Sequence, residues 1–450
     1  MKKIIVLLLV LCFLIACVPT PDEEVIINRA DGALEQAIVE EPVDPYVYEA
    51  PNRWDEAYEV REQKIQFSAD IEFPNTEEFP VKTIKQRLFD NNDVISFLTS
   101  FRSGNWLVRE NEYSREELMV DLKNAAKGDY MGEDEETGEP IWVPNEAEMQ
   151  RIQKLIEQTP AQDSYAPLTP ERLTFPIKKI SIKDDTDVAW YLFANEKRTQ
   201  ISLMRYRDGN IQMENWVMQG EATPGEPPHT LDSIQISEDD AVTIGDDIIL
   251  KLGLTDYKVA DIKKAREVQS YTYEVYGEGY WLTYVQTLPG AIPCYYGDYV
   301  DPDFLNFTQG DMTYAPPWKQ EHIQMFITEN GVLFLSWNSP KETILLANRN
   351  VQLMPFNDIQ KSIKRLLEYG TGGHKGSPII ISRVVLTTAI AQIPNQGEEA
   401  FLIPTWAVFL TSEQNENMNI DMGVLLINAL DGTYIDRFNR DDGLPDRENP

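Results

Sequence analysis

The chain has 450 residues, enough for two or three domains, and its 42% hydrophobic and 10% aromatic content is that of a folded globular protein. Against 40 Lys and Arg stand 74 Asp and Glu, a net charge of −34, and such a field repels phosphate backbones and excludes nucleic acid as a partner. The acids are spread along the whole chain, as on a solvated surface; attraction of cations or basic partners is the sharper alternative.

The N-terminus opens Met1-Lys2-Lys3, followed by an apolar run over 4–15 that is too short to span a bilayer as a stable helix. It ends in Leu14-Ile15-Ala16-Cys17, which resembles a bacterial lipoprotein signal. In such a signal the small Ala16 fits the peptidase pocket, and the Cys17 thiol accepts diacylglycerol. A plain signal peptide with an incidental cysteine is the alternative. The expectation is removal of residues 1–16 and a mature chain held by acyl chains on the outer face of the cytoplasmic membrane. Each buried methylene of such a chain is worth about 0.8 kcal/mol. Cys12 leaves with the signal and Cys17 is acylated, so Cys294 is the one remaining thiol. No intrachain disulfide forms in the mature chain, and Cys294 reads as a small buried hydrophobe.

Residues 17–60 carry acids from Asp22 to Glu59 against Arg29 and Arg53, with Pro19, Pro21, Pro42, Pro45 and Pro51 interspersed. This composition predicts a disordered, extended tether. A helix-rich N-terminal domain is expected over 61–170. Ile65, Phe67, Ala69, Ile71 and Phe73 alternate as in a half-buried strand. Val94, Ile95, Leu98 and Phe101 recur at helical spacing. Ser114 with Glu117, and Asn145 with Glu148, read as capping boxes that open two more helices, with Gly128 closing the first. Between those helices the acidic stretch 133–139 lacks the central Gly and final Glu of a calcium loop, so an exposed turn is expected.

From 171 onward strands dominate, and a repeat emerges. A hairpin over 201–216 turns at Asp208-Gly209, and a second over 323–337 turns at Asn330-Gly331. Each is followed by a helix, the first capped by Ser237 and ending at Gly253, the second opening near Asn357 and ending at Gly370. Long strands come next in both copies, closing with the apolar runs 378–393, 401–410 and 423–435. The reading is two related modules, 171–300 and 301–440, each an antiparallel sheet packed by one helix. Trp281 and Trp406 then belong at equivalent places. The predicted fold class is α+β.

Chemistry is sparsely signalled. His229, His322 and His374 show no paired-ligand spacing, so no metal is expected. There is no G-x-S-x-G elbow or S-x-x-K. The glycine-rich stretch 370–377 leaves a helix end and places Lys375 before its last Gly, unlike a phosphate loop. No catalytic residue and no cofactor can be named; carboxylate pairs are too plentiful for spacing to choose among them. The nearest thing to a binding signal is the cluster Tyr271, Tyr273, Tyr276, Tyr280, Trp281 and Tyr284, a rigid amphipathic platform if the rings share a sheet face. The alternative is that tyrosine is simply a favoured strand residue covering a core edge.

The endings Leu402-Ile403-Pro404-Thr405-Trp406 and Leu426-Ile427-Asn428-Ala429-Leu430-Asp431-Gly432, with the helix opening Ile236-Ser237-Glu238-Asp239-Asp240-Ala241, resemble extracytoplasmic PepSY-like domains. The order of elements is similar to the YycH/YycI class of envelope regulators, and the whole chain resembles uncharacterised surface lipoproteins of clostridia-type bacteria. The resemblance spans about 185–437 and implies a regulatory, non-enzymatic role with a protein or peptide partner in the cell envelope. YycH/YycI-type proteins keep an N-terminal membrane helix, whereas this chain reads as cleaved and acylated. A hydrolase of wall glycan or peptide and a solute-binding lipoprotein remain as alternatives, the latter without the βαβ alternation of parallel-sheet lobes.

Overall fold

A computed structural model describes residues 34, 36, 38, 41–60, 63–110, 113–133, 140–205, 209–213, 231, 233–269, 275–289, 291–297, 312–316, 318–370, 378–393, 398–412 and 423–437. Leu14, Ile15, Ala16, Cys17, Tyr271, Tyr273, the stretch 134–139 and most of the glycine-rich stretch lie outside them.

After the helical residues 34, 36 and 38, the described chain runs through an irregular segment into the antiparallel pair β1 (Arg53–Val60) and β2 (Gln63–Glu72), then β3 (Val81–Gln86). Next come α1 (Asn91–Phe101), β4 (Leu107–Arg109), α2 (Arg115–Lys127), the hairpin β5 (Asp129–Glu133) and β6 (Pro140–Val143), α3 (Glu146–Gln158) and β7 (Tyr165–Pro167). Strands β8 (Ile177–Lys183), β9 (Ala189–Ala194), β10 (Gln200–Arg205) and β11 (Gly209–Met213) precede α4 (Glu238–Lys251) and the long pair β12 (Tyr257–Gln269) and β13 (Val275–Gln286). A short β14 (Met312–Tyr314), the hairpin β15 (His322–Thr328) and β16 (Gly331–Asn338), and β17 (Lys341–Asn348) lead to α5 (Phe356–Gly370). The chain closes with β18 (Ile379–Gln392), β19 (Glu399–Ser412), β20 (Gly423–Asn428) and β21 (Tyr434–Asp436).

Among the described residues these strands build two large sheets. The inner sheet has ten strands in the order β11-β12-β13-β15-β16-β10-β9-β8-β4-β7. The outer sheet has nine: β1-β2-β18-β19-β20-β21-β14, with β3 paired to both β19 and β17. Its members come from both ends of the chain. β2 lies parallel to β18, Ile65 beside Ile379 and Ile71 beside Val384, while β4, β7 to β13, β15 and β16 belong to the inner sheet and β5 with β6 forms a separate two-stranded sheet.

Among the described residues strand outweighs helix by 44% to 23%, which corrects the expected α+β build with a helix-rich N-terminal domain. The predicted helices do form. Asp90 and Asp93 cap α1 reciprocally, Ser114 and Glu117 cap α2, and Asn145 accepts the Glu148 amide at the start of α3. Capping is local chemistry and is readable within four residues. Not all strands of 61–170 obey such a local rule: besides its neighbour β1, β2 pairs with β18, and β3 pairs with β17 and β19, some three hundred residues away. α1 packs on the inner sheet, where Val94, Phe97 and Leu98 are buried with Trp190 and Leu335.

The expected tether also needs correction beyond residue 33. Leu34, Ile38, Tyr48 and Trp54 are buried in the outer-sheet core, and 53–60 is strand. An apolar or aromatic residue every few positions is enough to dock an otherwise acidic segment once a sheet is there to receive it.

The proposed repeat is only partly realised. β15 and β16 form the second hairpin, with Gly331 at φ +87° in its turn. β10 and β11 do not form the first: β10 pairs with β9 and β16, and β11 with β12. The second hairpin therefore completes the inner sheet, and a boundary at 300 cuts through it. α4 with β12–β13 and α5 with β18–β19 do share a layout, each helix burying one apolar stripe on a long antiparallel pair. The two tryptophans are not equivalent. Trp406 is fully buried on the helix side, 4.9 Å from Phe356 of α5 between ring centroids. Trp281 sits with Ala265, Phe326 and Leu333 on the face away from α4, because Leu282 and Tyr284 take the helix side of β13.

Candidate binding site

The described part of the tyrosine cluster does not make one platform. Tyr280 and Tyr284 turn toward α4 while Trp281 occupies the opposite face, as strand alternation dictates. Tyr284 is wholly buried, and its hydroxyl donates to Asp246 of α4 at 3.0 Å. Burial pushes that phenol up, with the Asp246 carboxylate adding to the effect. Tyr276 is half-buried near the start of β13. Two of these residues are thus core, and no common ligand face links them.

The structure instead gathers aromatic and polar groups around residues 43–50, a strap that crosses the outer sheet without joining it. Two connectors grip it: 73–79 between β2 and β3, and 349–355 between β17 and α5. Val43 N–H donates to the Asn350 carbonyl at 3.0 Å and Tyr46 N–H to the Glu77 carbonyl at 3.1 Å. The Asn350 side chain, itself fully buried, aims its amide nitrogen at the Val43 and Asp44 carbonyls at 3.1 and 3.3 Å and accepts the Phe79 N–H at 2.8 Å. Tyr46 donates to the Val351 carbonyl at 3.1 Å and accepts the Leu353 N–H at 2.9 Å, and Tyr48 donates to the Met354 carbonyl at 2.9 Å.

Side chains alternate along the strap as in any extended segment. Tyr46 packs against Phe79 at 5.5 Å; Tyr48 reaches Phe73, Phe79 and Trp406 at 6.1–6.4 Å between ring centroids. Val47 between them is 67% exposed. Burial raises both phenols above the ordinary tyrosine value, and for Tyr48 the neighbouring Tyr46 adds to it. Both therefore stay protonated donors across the physiological range.

Two hollows open on either side of Val47 and Tyr48. One, about 570 Å³, lies toward the start of α5 and is lined by Tyr46, Glu49, Pro51, Leu353, Phe356 and Asn357 among others. The other, about 390 Å³, lies toward the β2–β3 connector and is lined by Asn52, Glu72, Phe73, Asn75, Thr76 and Ile292 among others. Their walls mix aromatic rings, main chain and mostly uncharged polar side chains, with the carboxylates Glu49 and Glu72 one in each. The Glu72 carboxylate is already engaged by Arg383, at 2.5 and 3.0 Å. This is chemistry for holding an extended chain or a small polar-aromatic ligand, with no acid and base set to face each other across a substrate.

A third hollow, about 810 Å³, sits at the C-terminal end of α1 between Arg102, Asp185, Thr186 and Lys251. Its cations are committed, Arg102 to Asp184 and Lys251 to Asp247. The carboxyl of Glu321 is shifted upward, and it lines none of these hollows. It lies fully enclosed where the two sheets meet. Burial raises it, while Lys341, Tyr257 and the Trp337 indole oppose the shift. Cys294 is buried against the outer-sheet core. Among the described residues no three His, Cys, Asp or Glu side chains converge as metal ligands would, and no helix is long and apolar enough to cross a membrane.

Sequence reasoning passed over the strap because acids and prolines surround it. A signal was present: Pro45-Tyr46-Val47-Tyr48 carries two aromatics at period two inside a stretch whose disorder would call for few.

No protein-family model matches the chain, and no curated protein matches it. One solved structure similar to it is that of an uncharacterized protein from Eubacterium rectale ATCC 33656, 11% identical, with 93% of this chain and 99% of that one covered at a TM-score of 0.42. Another is the YpeB C-terminal domain of Bacillus megaterium, 11% identical, covering 78% of this chain and 97% of that one at a TM-score of 0.27. Both overlaps are too loose to argue from.

Proposed function

We propose that this chain is a non-catalytic binding protein of the bacterial cell envelope, lipid-anchored through Cys17, that holds a protein or peptide segment at the hollows beside Val47 and Tyr48. The carrying observation is that pair of hollows, walled by rings, main chain and neutral polar groups with Glu49 and the Arg383-paired Glu72 among them. The sequence likeness of the C-terminal elements to PepSY-like and YycH/YycI-type modules fits a regulatory role, and the lipoprotein-type N-terminus fits an extracytoplasmic place. The acidic surface fits a soluble domain held off an anionic membrane.

The test is a photo-crosslinking amino acid placed at Val47 in the full-length protein, with Leu250 as control. Leu250 is equally exposed, at 66%, but lies on α4. Irradiation of intact cells should give a discrete protein or peptide adduct from position 47 and none from position 250, identified by mass spectrometry. Identical adducts from both positions, or none from position 47, would remove the site from consideration.

A further inference from the structure

We propose that the strap 43–50 is the resident occupant of a peptide groove, and that a partner binds by inserting an extended segment with two tyrosines two residues apart in its place. The inference rests on the reading of the hollows as a binding site and names the partner chemistry that the groove between them accepts.

The strap is held as a groove holds an extended ligand rather than as a sheet holds a strand. Residues 41–51 carry neither helix nor strand, and their grip consists of alternate side chains pointing inward plus a few main-chain contacts, the general mode of extended-peptide recognition. Each inward tyrosine brings a ring to an aromatic floor and a hydroxyl to a main-chain group of 351–354. The outward residue, Val47, is unconstrained. Asn350 reads two successive carbonyls ahead of the first tyrosine. Neither contact requires an N–H from the next residue, so proline is admitted there, and Pro45 holds the preceding residue extended. The acceptable segment therefore has two free carbonyls, a position where proline fits, then Tyr-x-Tyr.

The open hollows on both flanks give an incoming chain room to begin contact before the strap has fully left. Competition explains why such a site is shut at rest. A covalently attached occupant acts at an effective concentration of order millimolar, so a free segment of equal intrinsic affinity binds weakly until the strap is loosened.

The test uses the full chain and a dye-labelled synthetic peptide spanning residues 41–52. In the double variant Tyr46→Phe, Tyr48→Phe the rings remain but the hydroxyl bonds of the resident strap are gone. The peptide should then bind on the order of ten- to a thousandfold more tightly than to wild type, as the three lost hydroxyl hydrogen bonds imply. A peptide with both tyrosines replaced by alanine should not bind. Equal affinity for variant and wild type, or no binding to a variant whose circular dichroism matches wild type, overturns the proposal. A dimer of the variant by light scattering would assign the groove to a second copy and overturn it too. Hydrogen exchange on the wild type decides the matter independently of the variant's folding. Val43, Tyr46 and Leu353 amides must exchange well before those of β18 and β19, and exchange in step with them makes the strap a fixed part of the core. Crosslinking from Val47 can succeed with the strap in place, so failure of the peptide test leaves the hollows standing as a site.

Discussion

Asn350 is where the strap, both gripping connectors and the buried main chain meet, and its replacement separates their contributions. In Asn350→Ala the Phe79 N–H, bonded at 2.8 Å to Oδ1, loses its acceptor inside the protein. Leaving a buried donor unpaired costs about 1–3 kcal/mol. The side-chain nitrogen faces the Val43, Asp44 and Glu77 carbonyls at 3.1, 3.3 and 3.4 Å, and its two hydrogens serve at most two of them at once. Those two bonds add about 0.5–1.5 kcal/mol each. The expected loss is about 2–6 kcal/mol, with strap release as its first visible consequence. Asn350→Asp is the diagnostic partner. It keeps an acceptor for Phe79 but turns a second oxygen toward carbonyls, so the folded state favours the protonated acid and raises its pKa. A carboxyl raised on folding contributes stability that is present below its unfolded value, about 3.9, and lost as pH rises through the folded value. The Asp variant should thus approach wild type near pH 4 and fall to the Ala variant or below at pH 7. Urea unfolding followed by tryptophan fluorescence measures the loss, and chymotryptic cleavage after Tyr46 and Tyr48 reports strap release. An Ala variant within about 1 kcal/mol of wild type, uncleaved at both tyrosines, would refute the grip described here.

Two further expectations follow from the anchor and from the buried carboxyl. Cys17→Ala should abolish incorporation of a radiolabelled lipid precursor and move the protein from the membrane to the medium; undiminished labelling would end the lipoprotein reading. Glu321→Gln removes a carboxyl that burial raises, so it should flatten the decline in stability that this group imposes from about pH 4.3 upward. It also leaves either the Trp337 indole or the Lys341 amide without an acceptor, at about 1–3 kcal/mol. An unchanged pH slope of the urea midpoint between wild type and variant would show that Glu321 does not titrate in that window.

What could be read from the chain was whatever depends on a few neighbouring residues. Ser114 with Glu117, Asn145 with Glu148, and Ser237 mark helix starts that the structure retains, and Asn330-Gly331 marks a real hairpin. Strand partnership is another matter. The alternation over 64–73 identifies a half-buried strand, but nothing in it specifies β18 as its neighbour, since any apolar edge of the right length would satisfy the same pattern. Likewise one residue of offset along β13 sends Trp281 to one face and Leu282 and Tyr284 to the other, so a matching tryptophan in each supposed repeat says nothing about matching places. The strap was hidden for a related reason: composition over forty residues averages away four well-placed rings, Tyr46, Tyr48, Trp54 and Tyr58.

The nesting of one sheet's sequence inside the other's looks costly, and the neck between them shows why it is not. Apart from the short β14, the chain leaves the outer sheet after β3 and returns at β17, and these two crossings lie side by side. Arg87 N–H donates to the Pro340 carbonyl at 2.9 Å, and Phe89 and Ser339 N–H groups donate to the Arg198 and Thr199 carbonyls at 2.8 and 2.6 Å. The Arg87 guanidinium lies over Phe89 and Trp337 at 5.6 and 5.3 Å and pairs with Asp93 at 2.7 Å. Glu321 ties the return by accepting from the Trp337 indole and the Lys341 amide. Closing a flexible loop of roughly 250 residues would cost the outer sheet about 5 kcal/mol in chain entropy. An inner sheet that is already folded presents its two ends in contact, so most of that cost falls on its own strands. β3 and β17 then emerge adjacent and antiparallel, Lys341 beside Gln86. The outer sheet therefore inherits its register from the neck, and the strap, gripped by the connectors on either side of those same two strands, is the last piece the architecture positions.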